Sequence, residues 1–105
     1  MTVAREFTVE VRAGESLLHS YQLHVEAKGL LDRETGHVVD FEQLERKCRI
    51  NEIVLSGDAT TERVLEWLVN TLSNYLQDEY ESLVALTVVR LTNLHGAGYV
   101  EWRAE

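Results

Sequence analysis

Four histidines and one cysteine are the side chains here best suited to ligate a metal or attack a substrate. A neutral imidazole binds zinc, and a thiolate is a nucleophile. His19, His24, His37 and His95 are scattered. His19 and His24 lie five residues apart in one strand-like run, so they point to opposite sheet faces. No pair shows ligand spacing on one face, so the chain by itself offers no metal site; a site assembled across subunits stays open. His19 reads as a pocket-facing hydrogen-bonding group or as a strand-end histidine satisfied by backbone. Cys48 falls with Phe41 and Leu44 on the apolar side of a short helix, the setting of an inert buried thiol. Arg46, Lys47 and Arg49 flank it, but neighbours at i±1 and i±2 do not face it. Thr92, Asn93 and His95 form a polar group before Gly96 and Gly98. Asn donates and accepts at the edge of a heterocycle, though without the charge that strengthens a carboxylate grip. The plain alternative is a polar hairpin loop.

Six elements must position these groups. Over residues 5–12, Phe7, Val9 and Val11 alternate with Thr8, Glu10 and Arg12, the period of a half-buried strand. Residues 18–28 alternate again: His19, Tyr21, Leu23, Val25 and Ala27 share one side, opposite a polar one. Asp40 is placed to cap a helix over about 41–49, with Glu42 in its first turn. Thr60 caps a longer helix over about 61–78. Its apolar stripe is Val64 or Leu65, Leu68, Val69, Leu72, Tyr75 and Leu76. Asp78, Glu79 and Glu81 read as a solvated helix end that opposes the dipole and helps stop the helix. Residues 83–91 are apolar on both sides, with Val84, Leu86 and Val88 expected on one and Ala85, Val89 and Leu91 on the other. Residues 99–103 form a last strand. The predicted architecture is an α+β two-layer sandwich, a four-stranded antiparallel sheet with two helices on one face. Its second apolar face would need a cover, and another copy of the chain would supply one.

Length and charge narrow the function. A chain of 105 residues is one domain by size, here 1–105. A net charge of −8, with no Lys/Arg cluster, argues against nucleic acid and anionic membranes as partners. A lone cysteine excludes an internal disulfide and fits a reducing compartment. No apolar stretch approaches the ~18 residues of a membrane span, and no signal-peptide core is visible. A cytoplasmic location is the expectation.

Three motifs carry a family resemblance. The first is a strand, a turn and Gly-x-Val-Val-Asp-Phe-x-x-Leu, from Gly36 to Leu44. The second is Thr60-x-Glu62 opening a helix that contains Trp67-Leu68. The third is a strand, a short loop and Ala97-x-Tyr99. In this order and spacing, over about residues 5–103, the chain resembles the 6-pyruvoyl-tetrahydropterin synthase and 6-carboxytetrahydropterin synthase family. That resemblance implies the tunnelling fold, with subunits joined edge to edge into a β-barrel and helices outside. It also implies a zinc-dependent lyase acting on a pterin.

The chain departs from the family where the chemistry lies. Family zinc is held by a His-x-His pair on the second strand and a histidine ending the first. His19 matches one member of that pair, its partner position is Leu17, and the first strand has no histidine. Zinc in a catalytic site wants three protein ligands. The family's catalytic cysteine lies in a long first loop; here the connection runs only from about Ala13 to Leu17 and holds none. Its Asp-His pair has no counterpart in residues 50–58. Its ligand-gripping glutamate corresponds to Leu91-Thr92-Asn93, without a carboxylate. These departures lead us to expect no zinc and no catalytic residue, while the resemblance in fold implies a homo-oligomer. A pterin- or purine-like heterocycle would bind near His19, Thr92, Asn93 and His95. Two alternatives stay open: a structural or protein-interaction subunit without ligand, and an active pterin-related lyase whose site is completed across subunits.

Overall fold

Alternating side chains build most of the sheet. In the computed structural model, β1 (Thr2–Ala13) and β2 (Leu17–Gly29) run antiparallel in unbroken register from Thr2 opposite Lys28 to Ala13 opposite Leu17. The structure describes residues 1–13, 17–30, 38–50, 53–55, 60–81, 83–94, 96 and 98–105. It does not describe the side chains of 13, 17–19, 47–50 and 53–55. Helix α1 (Phe41–Ile50) follows, then β3 (Ile53–Leu55), α2 (Thr61–Tyr80), β4 (Val84–Asn93) and β5 (Tyr99–Arg103). The sheet order is β3-β1-β2-β4-β5. Its four long strands are antiparallel, with the helices against one face, the expected α+β sandwich. The fifth strand, β3, adds three residues parallel to β1, opposite Val11 to Ala13. A three-residue run shows too few alternations to be read as a strand from sequence.

Both helices begin where the caps place them. Asp40 Oδ1 accepts from the N–H groups of Glu42 (3.1 Å) and Gln43 (3.3 Å). Thr60 Oγ1 accepts from Arg63 N at 3.3 Å. Val64, Leu68, Leu72 and Leu76 of α2 are buried against the sheet, while Leu65, Val69 and Tyr75 pack half-buried beside them. The helix runs through Asp78 and Glu79 and stops at Glu81, whose φ of 55° leaves the helical region. No helix among the described residues is long and apolar enough to cross a membrane.

One irregularity sets which residues form the core. Glu26 of β2 pairs with Val88, but Ala27 pairs with Leu86, so Thr87 is an extra residue in β4. This is a β-bulge, and it reverses the alternation of side chains. Thr87 Oγ1 donates to Glu26 O at 3.0 Å, which anchors the bulge. Val84 and Leu86 before it, and Val89 and Leu91 after it, therefore all join the core beneath the helices. The strict alternation expected for residues 83–91 is corrected on this point: Leu86 lies with Val89 and Leu91, and Val88 stands apart on the other face. Among the described residues of β4, the second face therefore keeps Ala85 and Val88 as its apolar residues, fewer than strict alternation would place there.

The β2–β4 contact is close at its end. A Cβ built on Gly29 would lie 2.7 Å from Leu83 O and 2.9 Å from Val84 Cγ2. Gly29→Ala must therefore push β4 away. A loss of ~1–3 kcal/mol in unfolding free energy is expected from urea denaturation, typical of overpacking. An unchanged midpoint would show that the strand ends are not this close.

Candidate functional site

Two of the candidate residues, Thr92 and Asn93, lie at the same end of the sheet as the His19 backbone but on opposite faces of it. Thr92 and Asn93 are the last residues of β4 rather than loop residues. Asn93 pairs with Tyr21, two residues beyond His19 along β2. Thr92 pairs with Gln22 on one side and Tyr99 on the other. Tyr21 is buried on the helix-covered face. Asn93, opposite it, takes that same side, and Thr92 takes the helix-free side. His95 and His37 lie outside the described residues, as do the side chains of His19 and Cys48 and the Gly36 turn.

The register neighbours of His19 among the described residues add no zinc ligand. In register His19 lies opposite Val11, with Leu17 and Tyr21 at the two strand positions on its own side. None of the three supplies a thiolate, imidazole or carboxylate, and zinc needs about three such donors. Among the described residues no group of three His, Cys, Asp or Glu side chains converges as metal ligands do.

The helix-free face carries a row of charged and titratable side chains. Glu6, His24, Arg90 and Glu101 are successive cross-strand neighbours over β1, β2, β4 and β5. His24 Nδ1 is 3.2 Å from Glu6 Oε1, and its Nε2 is 3.7 Å from Glu26 Oε2. Glu101 is held by two arginines. Arg90 donates through Nε (2.9 Å) and Nη2 (2.8 Å) to Oε1, and Arg103 donates through Nε (2.7 Å) to Oε2. Hydrogen bonds from Arg103 and then Arg90 hold the Glu101 carboxyl below the usual range, against a small opposing effect of burial. The bond to Glu101 likewise raises Arg90. The Arg90 guanidinium also sits 5.3 Å from the centre of the Tyr99 ring. Neither Arg90 nor Glu101 was singled out by sequence spacing. They lie eleven positions apart, and only the β4–β5 register makes them neighbours.

On the helix side the polar contacts are structural. Tyr80 Oη accepts from Asp40 N at 2.9 Å and ties the end of α2 to the start of α1. Burial, with Tyr80, Glu79 and Asp40 nearby, pushes the Tyr75 hydroxyl up to about 12. Arg5 Nη2 lies 3.8 Å from Glu45 Oε2. A cavity of about 370 Å³ opens there, lined by Arg5, Val39, Asp40, Phe41 and Glu42. None of the candidate residues lines it.

No protein-family model and no curated protein matches the sequence. Solved structures do match. The structure of 6-pyruvoyl tetrahydropterin synthase from Caenorhabditis elegans superposes with a TM-score of 0.66 at 14% identity. The match covers 100% of this chain and 96% of that one. The chain is therefore similar over its whole length to a pterin synthase in fold, and the likeness extends to the fold alone.

The Glu101 cluster predicts a pH signature. Its carboxyl is depressed in the folded state, so its stabilising effect is present above the ordinary glutamate range of ~4.3. That effect is lost as pH falls through the lower, folded value. Wild type should then exceed Glu101→Gln in thermal midpoint at pH 7, and the gap should close on acidification below pH ~4. A gap that is constant with pH would show that the carboxylate charge is not what matters.

Proposed function

We propose that this chain is a divergent pterin-synthase-like protein that binds a planar pterin- or purine-like heterocycle without running the zinc-dependent lyase reaction. The full-length likeness in fold to a 6-pyruvoyl tetrahydropterin synthase carries this reading. The departure in chemistry rests on the residues around His19, where Val11, Leu17 and Tyr21 stand at the neighbouring register positions. A scaffold without that donor set retains shape and hydrogen-bonding groups but not a Lewis acid. His19, Thr92, Asn93 and His95 are the proposed ligand contacts; because Thr92 and Asn93 face opposite sides of the sheet, a ligand reaching both would sit at the end of the sheet.

The proposed working form is a homo-oligomer joined at sheet edges. Residues 2–10 of β1 have no partner strand on their outer side among the described residues, because β3 covers only Val11 to Ala13. A long uncovered edge is a template for another strand. The site would then lie where copies meet, a common location for small-molecule pockets.

Two measurements test this. In thermal shift with neopterin, biopterin and guanine, ligand at ten times its dissociation constant stabilises by ~1.4 kcal/mol. That raises the midpoint of a domain this size by roughly 5–10 °C. No shift with any of the three at millimolar concentration would defeat the binding reading. In sedimentation velocity at micromolar concentration an oligomer is expected, and a stable monomer would contradict edge-joined assembly.

A further inference from the structure

The reading above names a class of ligand and polar contacts for it, but no aromatic side chain on which its ring would stack. Resting on that reading, we propose that Tyr99 is the stacking platform for the planar heterocycle. Tyr99 opens β5, the outer strand of the sheet, and is 63% exposed. An aromatic ring left this open on a rim strand adds little to the core. Its orientation is nonetheless restrained. Arg90 lies 5.3 Å from the ring centre, and two hydrogen bonds to Glu101 restrain the Arg90 guanidinium itself. No second ring or cation contact to Tyr99 exists among the described residues.

A cation on one face of an aromatic ring leaves the other face free to take a flat π-system. The backbone beside the ring leaves room for one. Gly98 precedes Tyr99 with φ of 97°, and a Cβ built on it would meet nothing within 4 Å. A side chain there would be strained and would fill space next to the ring. Thr92 is directly opposite Tyr99 across the strand pair, half-buried on the same face, and brings a hydroxyl to the edge of the platform. Stacking is tolerant of which heterocycle is bound, and the hydroxyl can both donate to and accept from its edge. The ligand class this suits is an uncharged bicyclic nitrogen heterocycle.

Equilibrium dialysis with neopterin and with guanine, on wild type, Tyr99→Ala and Tyr99→Phe, tests the proposal. Loss of a stacking ring should weaken binding roughly tenfold or more in Tyr99→Ala. Tyr99→Phe keeps the ring and should stay within about threefold of wild type. Tyr99 is exposed, so both variants should keep the wild-type thermal midpoint. Tyr99→Ala binding as tightly as wild type, or Tyr99→Phe as weak as Tyr99→Ala, would overturn the stacking role while leaving heterocycle binding intact. Wild type binding neither compound would overturn both.

Discussion

The extra residue in β4 decides how the whole sheet is used. Thr87 interrupts the alternation between Leu86 and Val89, and its hydroxyl is fastened to the Glu26 carbonyl. Without that interruption Val89 and Leu91 would sit on the face opposite Val84 and Leu86, and the sheet would need cover on both sides. With it, the apolar residues of β4 serve one core, closed by Leu68, Leu72 and Leu76 of α2. The opposite face is released for polar groups. Two parts of the structure, the packed layer beneath the helices and the charged row above the sheet, both follow from one inserted residue.

That released face carries the charged row that runs from Glu6 to Glu101. Glu101 sits between two arginines: Arg90 donates twice to Oε1, and Arg103 donates to Oε2 and, more weakly, to Oε1. Such a cluster is partly exposed, so its worth in stability is modest. What it contributes is geometry. Arg90 cannot swing away from Tyr99 without leaving Glu101, so the β4–β5 hairpin presents a fixed surface. Rigid strands position groups better than loops do, and Thr92, Arg90, Tyr99 and Glu101 all stand on strands. The hairpin also lies at the outer edge of the sheet, where a joining copy would meet it.

Much of the architecture was legible from residue order. Phe7, Val9 and Val11, and Tyr21, Leu23, Val25 and Ala27, alternate cleanly because one face is buried and the other is wet. The α2 stripe and the Asp40 and Thr60 caps fixed the helices to within two residues. The bulge was not legible. The run from Val84 to Leu91 is apolar at nearly every position, so a shift of face leaves no mark in composition. Strand β3 is too short to show a period. The charged row was hidden for a different reason: Glu6, His24, Arg90 and Glu101 are far apart in the chain, and register alone makes them neighbours. For the candidate site, Thr92 and Asn93 read from sequence as loop residues after a strand ending at 91, because polar side chains give no apolar alternation to extend it; pairing with Gln22 and Tyr21 carries the strand through them. Their division between the two faces was not legible either, since it depends on where the bulge resets the alternation.

The central claim is that the scaffold persists while the metal chemistry does not. Zinc content tests it most directly. Protein purified from zinc-supplemented cells, without chelator, can be assayed for bound metal per chain by mass spectrometry. The account predicts far less than one zinc per chain. One tightly held zinc per chain, resistant to dialysis, would contradict it.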